Sequence, residues 1–397
     1  MTPQDALKIA NQFANDEEID KLLVDLLRAP SPHTELQEAD PNLKQFVAGF
    51  VAPRLASLSG NASTIDGMGN ILWRYGNSTG EPGLLLMGYA MTFSAGRMKE
   101  PFSGAIVDGA PFGLAGSCVM GRGACEQKGA LAAMIYAAAI VARSQTKLRA
   151  PLILTVSVAG ETGRHDTAQF ILEQNRISVK AGIVGLGTSN RICLGNKGRI
   201  DVEITVRGKS AHSSMPWDGI NAVDGARKVL ERLDRLDLGK EHPDLGKATL
   251  TVTQIKSTPE ISHTVPDSCR IILDRRLLPG DDPERVLRDI QDAVIDMPPW
   301  SVEVSRGAFM YPSEVGADCA VASAVRETIR VLKRQDAEVF YSPAALDAGY
   351  LNQRGIETIM FGPGDLRFAH TDLEVVSLQE VRDAARICAA TALALLS

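Results

Sequence analysis

Glycine-rich stretches carry the residues best equipped for chemistry. They are Gly88-Tyr89-Ala90-Met91-Thr92, Gly121-Arg122-Gly123-Ala124-Cys125-Glu126-Gln127-Lys128-Gly129, Ala159-Gly160-Glu161-Thr162-Gly163, and Phe361-Gly362-Pro363-Gly364 with His370 downstream. Carboxylate and imidazole side chains in such turns are of the kind that holds a divalent ion, and what these stretches offer can hold one ion but hardly two. As a phosphate loop the Gly121–Gly129 stretch lacks the required spacing.

Such turns act together only if a scaffold brings them to one place. The 397-residue chain is long enough for two domains, each with its own core. Average hydrophobic and charged fractions argue against disorder, and a net charge of -6 argues against a nucleic-acid surface or a polybasic membrane anchor. A small-molecule partner is expected. Six scattered cysteines form no metal-type pair and no disulfide framework, and the first thirty residues are acidic where a secretory signal would be basic and then apolar. The longest apolar run, Ala130 to Ala142, is too short to span a bilayer. A cytoplasmic protein is the expectation.

Apolar runs alternate with helical patterns along most of the chain, which predicts an α/β domain with a doubly wound, mixed or parallel sheet. Strands are predicted at Gly83 to Gly88, Leu152 to Val158, Ala181 to Leu186 and Glu357 to Phe361, and helices at 16–27, 129–143, 318–334 and 377–396. Ligands of such sheets sit beyond the carboxyl ends of strands, where Tyr89, Gly160-Glu161 and Leu186 fall.

Residues 199–307 follow a different pattern. Ile200, Val202, Ile204 and Val206 alternate with polar residues, as do Ala248, Leu250 and Val252, then Cys269, Ile271 and Leu273, then Trp300, Val302 and Val304. Between them lie two amphipathic helices, one with Val223, Ala226, Val229, Leu230 and Leu233, the other opening on Asp282 and Pro283. The order strand, helix, strand, strand, helix, strand predicts a ferredoxin-like α+β unit inserted between the two halves, 1–198 and 308–397, of the larger domain.

These residues and this architecture resemble the M20 family of metallopeptidases and aminoacylases over nearly the whole chain. The likeness extends to Gly208-Lys209-Ser210-Ala211-His212-Ser213-Ser214-Met215-Pro216, to Val265-Pro266, and to Asp274-Arg275-Arg276 with Pro279-Gly280. The resemblance implies that Glu126 stands for the bridging aspartate of a two-metal site, that Glu161 and His370 are kept ligands, and that Gly160 stands where the general base would be. It also puts Tyr89 and Met91 in place of a His-x-Asp pair and Leu186 in place of a third carboxylate ligand. One metal keeps a set of three, Glu126, Glu161 and His370, while the other has lost its private ligands. His212 is implied to reach into a neighbouring subunit's site and stabilise a developing oxyanion, hence a homodimer through the inserted lid and dimerisation domain. Arg276 is implied to grip a substrate carboxylate, and His263 replaces the family's usual asparagine.

Two carboxylates and one imidazole with open positions suit one catalytic divalent ion per subunit, Mn(II) first, with Zn, Fe or Co as alternatives. Tyr89, Met91 and Leu186 would make an apolar wall for a ring. The expectation is a mononuclear hydrolase that uses metal-bound hydroxide to cleave a C–N bond of a small carboxylated aromatic substrate, in the manner of an aminohydrolase of the 5-nitroanthranilate type. The alternatives are a catalytically inactive binding or regulatory protein with this fold, or an amide-cleaving peptidase or deacylase with unusual ligands.

Overall fold

The computed structural model describes residues 1–76, 80–160 and 162–397. The chain forms two compact units, Met1–Gly195 with Glu314–Tyr341 and Tyr350–Ser397, and Asn196–Ser313 with Ser342–Gly349.

In the first unit the apolar runs become four parallel strands, ordered Leu152–Ser157, Gly83–Tyr89, Val179–Gly185 and Glu357–Phe361 across the sheet. Ile71–Tyr75 adds an antiparallel neighbour to the first of them. Every residue of Gly83–Tyr89 and of Leu152–Ser157 is buried, which is why their sequences do not alternate. The helix Gly129–Arg143 is buried from Gly129 to Ala142 and packs against Leu378–Leu396, whose N-terminus is capped by Ser377. A helix apolar all round must lie inside the protein. Asn15 caps Asp16–Arg28 by accepting from the amides of Glu17 and Glu18.

A second, small antiparallel sheet joins Ala105–Asp108, Ser117–Met120 and Val375–Ser377. Sequence periodicity does not reveal strands of three or four residues, yet this sheet launches the Gly121 turn and carries Glu374 at its edge.

The other unit is a four-stranded antiparallel sheet ordered Thr249–Thr258, Ser268–Leu277, Gly198–Arg207, Ser301–Met310, with helices Ala222–Leu233 and Pro283–Val294. In chain order that is second, third, first, fourth, the ferredoxin-like arrangement. Ile200, Val202, Ile204 and Val206 are fully buried, and Asp282 caps its helix by accepting from the Glu284 amide. Two details differ from the sequence reading. Val252 is exposed because Thr249–Thr258 is an edge strand whose register shifts at Val252/Gln254, so the apolar alternation no longer tracks one face. Val223 is likewise exposed on the first turn of its helix. Among the described residues no helix is long and apolar enough to cross a membrane.

Candidate metal centre

Glu126 sits in a π-helical turn, Ala124–Lys128, between the Ser117–Met120 strand and the long buried helix. Such turns recur at functional sites because they redirect one side chain out of an otherwise regular helix. The turn begins at Gly123, whose φ of +85° places it in the left-handed region. Its far end is pinned by Lys128, fully buried, whose ammonium nitrogen donates to the carbonyls of Leu26 at 2.9 Å and Ala29 at 2.7 Å.

The fold brings His370 to this turn, with its Nε2 3.0 Å from Glu126 Oε2. The imidazole stacks on Phe93 at 4.0 Å between centroids, and His370 itself has a φ of +61°, an unusual backbone setting for a non-glycine residue. The His370 side chain is 41% exposed and that of Glu126 14%, so solvent reaches the pair. The two donors are an oxygen and a nitrogen, and 3.0 Å is the separation of neighbouring ligands on one ion with bonds of about 2.1 Å. On that test the pair fits a divalent ion.

Backbone contacts fix the surrounding turns. A Cβ on Gly187 would lie 2.0 Å from the Cys125 carbonyl oxygen, and one on Gly364, at φ +99°, would lie 2.4 Å from the same atom. Only glycine allows the chain to close on both sides of Cys125. The Thr188 and Asn190 amides donate to the Gly362 carbonyl at 3.1 and 2.9 Å, and Glu380 accepts from the Gly364 amide at 2.8 Å. Burial raises the Glu380 carboxyl above its ordinary range, while that amide bond opposes the rise.

Leu186, next to Gly187, is buried, and so are Tyr89 and Met91, the latter without exposed surface and within the main core. Gly160 adjoins them, since a Cβ there would meet the Met91 carbonyl oxygen at 3.1 Å and the Tyr89 Cβ at 3.6 Å. The structure therefore groups Tyr89, Met91 and Gly160, and sets Leu186 beside the Glu126 turn. The predicted ligand Glu161 lies outside the described residues, among which no group of three or more His, Cys, Asp or Glu is arranged to hold a metal.

In the inserted unit His212 and His263 are neighbours, their rings 6.1 Å apart, because Ala211–His212 pairs with Thr264–Val265, the segment that His263 immediately precedes. His212 Nδ1 accepts from the Ser214 amide at 3.2 Å and lies 2.7 Å from the Ser214 hydroxyl, which leaves the neutral ring's proton on the exposed Nε2. Arg276 is engaged on one edge: its Nε and Nη2 donate to both carboxylate oxygens of Asp274 at 2.8 and 3.0 Å, which leaves the N–H groups of Nη1 and the second one of Nη2. Arg164-His165-Asp166 opens the helix Asp166–Gln174, with His165 buried.

Sequence reading did not single out Glu374, Arg122, Phe93 or Lys128 as part of this centre. Arg122 and Glu374 form a fully buried ion pair at 2.9 Å, and Glu374 also accepts from the amides of Gly123 at 2.9 Å and Cys125 at 3.3 Å. The available signals were an acid inside the apolar run Leu373-Glu374-Val375-Val376 and a lysine heading a wholly apolar helix. Burial, with Glu374 and Glu126 nearby, holds the Cys125 thiol well above its ordinary pKa.

Comparison with known proteins agrees with this architecture. Residues 194–301 match the model of the M20 peptidase dimerisation domain. An acetylornithine deacetylase of Myxococcus xanthus is 27% identical over 356 residues, covering 84% of this chain and 85% of that protein. The solved M20 family metallo-carboxypeptidase of Sulfolobus solfataricus superposes with a TM-score of 0.76 at 17% identity, covering 95% of this chain and 99% of that one. A Bacillus subtilis protein described as a dinuclear metal binding peptidase from the M20 family gives 0.69 at 14% identity, covering 97% and 99%. At these identities the solved structures speak to the fold alone.

Proposed function

We propose that the chain, a divergent member of the M20 metallopeptidase and aminoacylase family, is a metal-dependent hydrolase cleaving a carbon–nitrogen bond in a small carboxylated substrate. The observation that carries this reading is the Glu126–His370 pair, two donors of the right chemistry held 3.0 Å apart and open to solvent. Glu161 completes the proposed set of ligands for one ion per subunit, with Mn(II) favoured by the oxygen-rich donors and Zn, Fe or Co as alternatives. When bound, such an ion polarises the substrate and acidifies its water, from a pKa of ~15.7 toward roughly 7.

The chain's own residues supply the rest. His212 offers its Nε2–H as a donor to an oxygen that gains negative charge, and the Ser214 amide fixes that tautomer. We assign it to the site of a second copy of the chain, so the working enzyme is a homodimer through the dimerisation domain. His263 lies beside it as a second polar contact. Arg276, whose Nε–Nη2 edge is forked onto Asp274, meets a substrate carboxylate through the remaining N–H groups of Nη1 and Nη2. Gly160 contributes no carboxylate, so no side chain there takes up a proton.

Within this class the apolar side chains Tyr89, Met91 and Leu186 favour a ring on the substrate and C–N cleavage of the 5-nitroanthranilate type. The relative named acetylornithine deacetylase favours an N-acyl amino acid instead. The deciding experiment is metal analysis of the purified protein, followed by assay on substituted anthranilates and on N-acyl amino acids, with E126Q and H370A as controls. One ion per chain, turnover of one substrate group, and loss of both in the variants is the expected result. Two ions per chain would restore the two-metal peptidase reading, and no bound ion with no turnover would leave a binding protein.

A further inference from the structure

We propose that Glu374 is a positioning residue that sets the spacing between Glu126 and His370, acting through Arg122 and through the backbone of the Gly123–Cys125 turn. The inference rests on the reading of Glu126 and His370 as metal ligands.

Glu374 has no exposed surface, and the Arg122, Gly123 and Cys125 groups that its carboxylate meets are all donors. One arm runs to the Glu126 side. Oε2 accepts from the Gly123 amide at 2.9 Å and Oε1 from the Cys125 amide at 3.3 Å, with the Cys125 thiol at 3.5 Å. These groups frame the start of the turn, and Glu126 is the next residue. The other arm runs to the His370 side. Oε2 accepts from Arg122 Nη1 at 2.9 Å, Arg122 Nη2 donates to the Ala95 carbonyl at 3.1 Å, and the guanidinium lies 5.9 Å over the Phe93 ring on which His370 stacks. The main chain closes the same circuit, because the Gly121 amide donates to the Glu374 carbonyl at 3.1 Å. Between His370 and Glu374 the Thr371 hydroxyl donates to the Phe368 carbonyl at 2.8 Å and accepts from the Leu373 amide at 3.2 Å. One buried carboxylate thus braces both donors.

The chemistry requires an ionised acid at this position. Bonds from a carboxylate to amides and a guanidinium are charge-assisted and about twice as strong as neutral ones. Glutamine would turn an –NH2 group toward partners that are themselves donors, so at least one arm must release. Supporting residues of this kind change metal affinity by about 10- to 100-fold when altered, through orientation alone.

The test uses the full chain stripped with a chelator and titrated with Mn(II), the free ion being followed by electron paramagnetic resonance. It compares wild type, E374Q, R122K and E126Q, with metal-free crystal structures of wild type and E374Q. Expected is a loss of about tenfold or more in Mn(II) affinity for E374Q, a smaller loss for R122K, and separation of Glu126 from His370 beyond about 4 Å in metal-free E374Q. Folded E374Q that binds Mn(II) within threefold of wild type and keeps the pair together overturns the proposal while leaving the metal reading intact. If wild type binds no Mn(II), the choice of Mn(II) falls, and the E374Q structure alone decides whether the brace exists. Should E374Q not fold, R122K, which keeps the charge and gives up the contact to Ala95, carries the decision: unchanged affinity overturns the proposal.

Discussion

Lys128 offers the sharpest quantitative prediction. Its ammonium group is fully buried between Leu26, Ala29 and the Phe46 ring, and desolvation pulls its pKa from 10.5 down to about 7, against an opposing pull from Glu374. In the unfolded chain the group keeps its ordinary value, so from about pH 7 to pH 10 unfolding takes up a proton and stability rises with pH. At 1.36 kcal/mol per tenfold change in acidity, the cost of burying this lysine is about 4 kcal/mol at pH 7 and fades as the pH approaches 10. K128M removes that cost and leaves two carbonyls without a donor, each worth about 1–3 kcal/mol, so its net stability at pH 7 stays close to that of wild type. The pH slope separates the two terms. Between pH 7.5 and 9.5, in chelator, wild type should gain about 2 kcal/mol over K128M in urea unfolding followed by circular dichroism. Parallel profiles for the two proteins would show that Lys128 does not titrate near neutrality and would refute the reasoning.

Other outcomes follow from the same geometry. G160E should fold, since its Cβ would meet the Met91 carbonyl oxygen at 3.1 Å and otherwise only make ordinary contacts with Met91 Cβ at 3.5 Å and Tyr89 Cβ at 3.6 Å, and should not gain hydrolysis of N-acyl amino acids; a rise of about 10²-fold or more, the worth of a general base, would mark the site as a peptidase that had merely lost its base. G364A should cost about 3 kcal/mol or more in thermal or urea unfolding, because φ is +99° and the new Cβ would lie 2.4 Å from the Cys125 carbonyl oxygen; near-native stability would mean that the turn packs otherwise. All six cysteines are buried, Cys388 pushed up to about 12 by burial, so a thiol reagent at pH 8 should label the native protein slowly and all six in denaturant. Rapid native labelling of Cys125 would contradict the closed Gly187–Cys125–Gly364 contact.

The parallel strands were legible because strands covered on both faces must be apolar throughout, and the second unit because one wet face enforces alternation. The Thr249–Thr258 edge broke that rule, since a strand with a single neighbour and a shifted register does not bury every second residue. Glu126 and His370 could be named from the resemblance, but not what holds them. Arg122 and Glu374 are 252 residues apart, and nothing in either local sequence announces the other. The fork from Arg276 to Asp274 was closer to hand: residues two apart on a strand share a face, so an Asp-x-Arg pair predicts its own engagement.

The positions that the resemblance implies are replaced and those it implies are kept also differ in what supports them. Tyr89 ends the strand Gly83–Tyr89 and Met91 lies just past it, Gly160 follows Leu152–Ser157, and Leu186 follows Val179–Gly185, all at the carboxyl ends of the parallel strands. Glu126 and His370 hang instead from the small sheet Ala105–Asp108, Ser117–Met120, Val375–Ser377 and its buried Arg122–Glu374 pair. At the first set, apolar side chains close into the core: Met91 has no exposed surface, and such filling stabilises the fold where an unpaired ligand carboxylate would strain it. At the second set, an ion pair without exposed surface is costly to desolvate, and hydrophobic residues of similar size often serve stability as well or better. A site under no demand but folding would have let both halves turn apolar. A braced half with its two donors open to solvent is what the proposed single-ion centre requires, and the count of Mn(II) ions bound per chain tests that requirement directly.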